Sequence, residues 1–229
     1  MSKLIFLFFF TLILCQTQKT YKKFTFDEIE KLTNDKSVFL VDTRDFPKIL
    51  KKGIVPNSIV VSLRDKYNST LTNLIDKNAK LILITDKKKF NLTLSYTERL
   101  GFKNVLGYFM IKDWKKDLNK ISKIKLTRKK LKEISNKYDL IDVRETTKQK
   151  KKGNLKKSVN VPLSEFKTNF SKIDKNKVNY FMSGKGFKSL TAISYLMREG
   201  YDSKNLFYVI GGFKKTHQKI IKKKKRQDL

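Results

Sequence analysis

The run Ser183-Gly184-Lys185-Gly186-Phe187-Lys188-Ser189 brings hydroxyls, glycines and lysines together. It leads into a stretch with helical apolar spacing, Ser189 to Glu199. Successive N–H groups at a helix N-terminus converge on one spot, so such a loop is suited to holding an anion. Lys185 and Lys188 add positive charge, and the expected ligand is a sulfate, a phosphate or an acidic group of a partner protein. Ser183 and Ser189 offer hydroxyls, but a serine oxygen becomes a nucleophile only when a positioned base takes its proton. Neither His nor Asp stands beside this run to supply one.

Metal and redox chemistry find few residues to use. Cys15 is the only cysteine, so an intrachain disulfide and a cysteine-based zinc site are both excluded. His217 is the only histidine and lies in a lysine-rich segment. It reads as a surface residue rather than a ligand or base, with no second His to share a metal. No metal and no cofactor are expected.

The formal net charge is +32, with seven arginines and 46 lysines making up the cations. Abundant Lys, Asn, Ile and Phe with few Ala, Gly and Pro suggest codons drifted toward A and T. No aromatic residues interleave with the terminal run Lys222-Lys223-Lys224-Lys225-Arg226 as they do on base-stacking surfaces. The charge therefore points to solvated lysines and a basic C-terminal tail, and nucleic acid is not the expected partner.

At the other end, Lys3 precedes an apolar stretch from Leu4 to Leu14. One early cation before a short apolar run fits a secretory signal peptide over residues 1–19 and is too short to span a bilayer comfortably. Export to a periplasm, an envelope or the exterior is expected. Cys15 stands where a lipoprotein would be acylated, but Leu14 replaces the small residue such signals prefer. Membrane contact is expected only through this segment or a lipidated Cys15. The sequence carries no sign of oligomeric state.

The elements that must position the loop emerge from an internal repeat with a period near one hundred residues. Leu40-Val41-Asp42-Thr43-Arg44 returns as Leu140-Ile141-Asp142-Val143-Arg144, and nine residues after each arginine comes a glycine, Gly53 and Gly153. Leu63 then faces Leu163, and Arg99-Leu100-Gly101-Phe102 is echoed by Arg198-Glu199-Gly200-Tyr201. Two domains are expected, residues 20–120 and 121–229, with the boundary between Asn119 and Lys125 where the pattern loosens.

Each copy alternates short aliphatic runs with helical patterns. Thr25 and Glu28 form a capping-box signature for a helix through Leu32, and Thr127 can cap a helix through Ile134. Ser37 to Val41, Lys80 to Thr85, Leu140 to Asp142 and Val178 to Met182 read as buried strands. Leu92 to Leu100 and Ser189 to Glu199 read as helices ended by Gly101 and Gly200. Strand and crossover in alternation predict an α/β fold with two mostly parallel sheets flanked by helices.

The second copy resembles a single rhodanese domain. The likeness rests on Asp142-x-Arg144, on Gly153 to Leu163, on Ser183 to Ser189 before a helix, and on Gly211-Gly212-Phe213. The first copy is similar but more divergent. Its Val105-Leu106-Gly107-Tyr108 looks like the paired rhodanese modules that follow a metallo-β-lactamase domain in some persulfide-handling proteins. The resemblance implies two tandem rhodanese-like domains, and in that family a Cys-x-x-Gly-x-Arg loop carries sulfur as a persulfide. Here Gly186 falls on the family glycine, Lys188 on its arginine and Ser183 on its cysteine, while the first copy reads Thr85-Asp86-Lys87-Lys88-Lys89-Phe90-Asn91. Catalytic residues are therefore not expected. The resemblance gives Asp142 and Arg144 the task of supporting the loop. The implied function is a silent, anion- or partner-binding accessory module with a link to sulfur metabolism, the alternative being a thiosulfate or persulfide sulfurtransferase with an unusual nucleophile.

Overall fold

The computed structural model describes residues 20–63, 66–133, 138–155 and 157–217. The signal peptide expected at 1–19, Cys15 and the basic run 222–226 lie outside the described residues. Among the described residues, no helix is long and apolar enough to cross a membrane.

The first half of the chain runs β1 (Lys22–Lys23), α1 (Phe26–Leu32), β2 (Val38–Asp42), α2 (Phe46–Lys52), β3 (Ile59–Val60), α3 (Tyr67–Leu74), β4 (Lys80–Thr85), α4 (Phe90–Arg99) and β5 (Val105–Met110). The second half repeats it as β6 (Ser122–Ile124), α5 (Arg128–Glu133), β7 (Tyr138–Asp142), α6 (Thr146–Lys152), β8 (Ser158–Asn160), α7 (Phe166–Asn169), β9 (Val178–Met182), α8 (Phe187–Arg198) and β10 (Leu206–Val209). A last helix, α9, covers residues 212–217. The strands form two parallel five-stranded sheets, ordered β1-β5-β4-β2-β3 and β6-β10-β9-β7-β8. The second order is the first shifted by five, so the sequence repeat is a repeat of topology, and the expected α/β fold with two mostly parallel sheets is what forms.

Local chemistry sets the helix starts. Thr25 Oγ1 accepts from the Glu28 N–H while Glu28 Oε2 accepts from the Thr25 N–H, completing the capping box. Thr127 Oγ1 likewise accepts from the Lys130 N–H at the start of α5. The segment between the sheets is more ordered than its composition predicts. Asn119 makes an antiparallel bridge to Ile54, and Ser122 to Ile124 is already the edge strand of the second sheet.

Alternation along the strands divides the interior into three cores. Val41, Leu81 and Leu83 of the first sheet share one core with Ile141, Phe181 and Tyr208 of the second. The opposite faces are separate: Leu40, Ile82 and Ile84 pack with Ile29 of α1, and Leu140, Tyr180 and Met182 pack with Phe213 of α9. Helix α8 crosses the shared core, where Ser194 Oγ accepts from the Val60 N–H at 2.9 Å. Arg198 lies over the Phe39 ring and donates to the Lys36 carbonyl. The two halves are thus joined by a buried apolar layer with specific polar contacts.

Candidate functional site

The loop between β9 and α8 is held from behind. The Phe213 and Lys214 N–H groups at the start of α9 donate to the Ser183 and Gly184 carbonyls, which satisfies two otherwise open helix donors. Ser183 is buried at 2% exposure, and its Oγ accepts from the Gly186 N–H at 3.1 Å. Gly186 has φ +103°, and a Cβ there would lie 2.2 Å from the Tyr208 hydroxyl. The turn therefore needs glycine for both its conformation and its packing. Phe187 stacks on Phe46 of the first half, with ring centroids 4.9 Å apart.

The repeated Asp-x-Arg motif has a physical explanation in both halves. Arg144 Nε donates to both Asp142 carboxylate oxygens at 2.9 Å, and Nη2 reaches Asp142 Oδ2 and the Gly153 carbonyl. Arg44 makes the same set with Asp42 and the Gly53 carbonyl. The nine-residue spacing from arginine to glycine is thus the reach of a buried guanidinium that ties the strand end to the end of the following helix. Asp142 and Arg144 are 0% and 4% exposed. Arg144 also lies 3.7 Å from the centre of the Phe213 ring, and its Nη1 is buried with no hydrogen-bond partner.

In front of the loop opens a cleft of about 730 Å³, lined by Arg144, Glu145, Ser183, Gly184, Lys185, Phe187, Lys188, Phe213 and His217 together with Lys66, Lys148, Lys152 and Lys214. Six lysines and one arginine face a single carboxylate, a field that concentrates anions. Glu145 Oε1 accepts from Lys188 and Oε2 from Ser164. Burial pushes the Glu145 carboxyl up, but hydrogen bonds from Lys188 and Ser164 and the charges of Lys188 and Lys66 outweigh it and hold the carboxyl below its ordinary value. A depressed value stabilises the fold above the ordinary glutamate pKa of 4.5 and loses that contribution as the pH falls through the folded value. Glu145→Gln should therefore lower stability in urea at pH 7, with the gap to the unchanged protein closing below pH 4.5. A gap that does not narrow as the pH falls below 4.5 would show that the ion pair is not its source.

The first half carries a parallel arrangement with a different outcome. Asp42 pairs with Ile84 across the sheet and Asp142 with Met182, so Thr85 matches Ser183 and Asp86 matches Gly184. Lys89 bonds to Asp45, mirroring Lys188 and Glu145. Asp86 bonds to Lys48 at 2.6 Å.

Of the residues singled out from sequence, Ser183, Gly184, Lys185, Phe187 and Lys188 line the cleft with Arg144. Gly186 shapes the turn and Asp142 holds Arg144. Ser189 is fully buried in the first turn of α8, and its Oγ has no partner. Sequence reasoning missed Lys66, Glu145, Lys148, Lys152, Phe213 and Lys214, and it placed His217 on the surface. His217 is half-buried, stacks on Phe213 and lines the cleft. Its position four residues after Phe213, one helical turn, was the available signal.

Several solved structures are similar to parts of the chain. A rhodanese-related protein from Thermoplasma volcanium is 23% identical, covering 42% of this chain and 91% of its own, with a TM-score of 0.35. A 3-mercaptopyruvate sulfotransferase from Escherichia coli is 13% identical over 85% of this chain and 99% of its own, with a TM-score of 0.35. A thiosulfate sulfurtransferase from Pseudomonas aeruginosa is 12% identical over 84% of this chain and 43% of its own, with a TM-score of 0.34. No curated protein matches the chain. The family model of the rhodanese-like domain matches residues 127–219, the stretch that supplies every residue lining the cleft except Lys66.

Proposed function

We propose that the protein is a tandem pair of rhodanese-like modules, residues 20–120 and 121–229, that binds an anionic group at Ser183 to Ser189 and transfers no sulfur. The observation that carries this reading is Arg144, which lines a cleft where lysines far outnumber carboxylates and whose buried Nη1 has no partner. A buried guanidinium nitrogen without an acceptor is costly, and an anion would satisfy it. Ser183 takes the place of the thiol, and its Oγ is engaged by a backbone N–H. A hydroxyl there cannot form the exchangeable persulfide that sulfur transfer requires. Export after removal of residues 1–19 would place this binding outside the cytoplasm.

The test pairs an assay with a titration. Given thiosulfate and cyanide, the full chain should form no thiocyanate. Ser183→Cys should form it, because the Gly186 N–H would then meet a sulfur anion. In parallel, sulfate should shift the amide resonances of Ser183 to Ser189. Turnover by the unchanged chain would overturn the silent reading, and resonances that stay still would overturn the anion reading. His217 in the same cleft favours a second reading, an oxygen nucleophile at Ser183, which predicts turnover that Ser183→Ala abolishes.

A further inference from the structure

The two halves solve the same electrostatic problem in different ways. In the first, Asp86 follows β4 and bonds to Lys48 of α2. Burial draws the Arg44 guanidinium down, but the charges of Asp42 and Asp86 and the hydrogen bonds that Arg44 donates to Asp42 leave it raised. The first half therefore carries its own carboxylate, bonded to a helix lysine and near enough for its charge to act on the strand-end arginine. In the second half the matching cations are Arg144 and Lys148, each four residues apart in the chain as Arg44 and Lys48 are. The residue matching Asp86 is Gly184, which has no side chain. Lys148 has no ion pair among the described residues, and Arg144 Nη1 has no acceptor.

The geometry points to a subsite for one compact oxyanion head, a carboxylate or sulfate, held by Arg144 and Lys148 at the place that the Asp86 side chain fills in the first half. This rests on the anion-binding reading above and adds the position of the anion and the residues that hold it. The first half is closed by its own acid and the second stands open. The ligand head is small and singly branched, as an aspartate side chain is, while the rest of the cleft is free to accommodate whatever carries it.

Gly184 permits a direct test, because a Cβ built there meets nothing within 4 Å. Gly184→Asp should fill the subsite from within and weaken sulfate binding by about tenfold or more, the effect of a charge-assisted hydrogen bond lost to an internal competitor. Gly184→Asn, equal in size and uncharged, should weaken sulfate binding clearly less than Gly184→Asp does. Calorimetric titrations of the full-length proteins at fixed ionic strength measure both. Equal affinity in the Asp variant and the unchanged chain overturns the subsite, as does an Asn variant as weak as the Asp variant, since the effect would then be steric. Sulfate replaced by acetate and by a short peptide of aspartates separates a free ion from an acidic protein group as the source. If the unchanged chain binds none of these, the anion-binding reading itself falls. The subsite is then judged by melting: Gly184→Asp should unfold at a higher temperature than Gly184→Asn, and equal midpoints overturn it. In the other direction, Asp86→Gly should open the first half and bring sulfate-dependent amide shifts near Lys48. Their absence would also count against the equivalence.

Discussion

Asp142→Ala is expected to cost about 3–5 kcal/mol of folding stability, the range for removing one partner of a buried ion pair. Asp142 is fully buried and accepts from Arg144 Nε and Nη2 and from the Arg144 N–H. Without it a 4% exposed guanidinium keeps only the Gly153 carbonyl and the Phe213 ring. Domains of this size are stable by about 5–15 kcal/mol, so the variant should sit near the edge of folding. Asp42→Ala should cost less, because Arg44 still feels the charge of Asp86. The double variant Asp142→Leu, Arg144→Met should recover much of the loss, since an apolar pair of similar volume removes the stranded charge. Urea unfolding monitored by circular dichroism ranks the variants. A single Asp142→Ala variant as stable as the parent would mean that Arg144 finds another acceptor or access to water.

The same ion pair marks the limit of what the sequence allowed. The Asp-x-Arg repeat and the glycine nine residues later were legible as a pattern, but the reason for the spacing is a contact between Nη2 and a carbonyl across a helix. Strands β2, β4, β7 and β9 were legible because their aliphatic runs are buried on both faces. Strands β1, β3, β6 and β8 have two or three residues each, too few for any periodicity to show. The sharing of one core by Val41 and Ile141 depends on how the two sheets face each other, which no local pattern encodes. Lys48 and Lys148 stood in register in the repeat, yet a chain with 46 lysines makes any one of them inconspicuous. Only the contrast between Asp86 and Gly184 around them gives the pair a meaning.

Gly212→Ala is the second large expected effect, and it acts on the loop through packing. Gly212 has φ +58°, and an added Cβ would lie 2.2 Å from the Ser183 carbonyl oxygen and 2.7 Å from the Gly186 nitrogen. Both obstacles are backbone, so no side chain can swing aside. The left-handed conformation costs about 1–2 kcal/mol for a residue with a Cβ, and forced overpacking adds about 1–3 kcal/mol. The total of roughly 3 kcal/mol or more should appear as lower stability in urea. Relief requires the Ser183 to Gly186 turn to move away from α9, which would break the bonds from Phe213 N–H and Lys214 N–H to the loop. Sulfate binding should therefore fall even under conditions where the variant remains folded. Gly153→Ala is the control, because Gly153 also has positive φ, +74°, but its Cβ would meet nothing within 4 Å. That variant should show the conformational cost alone, about 1–3 kcal/mol because its ψ of 171° lies in a region that only glycine readily adopts, with sulfate binding retained. If Gly212→Ala proved no worse than Gly153→Ala, the close seating of α9 against the loop could not be what fixes the turn. The anion site would then owe its shape to Gly186 and the Tyr208 hydroxyl behind it.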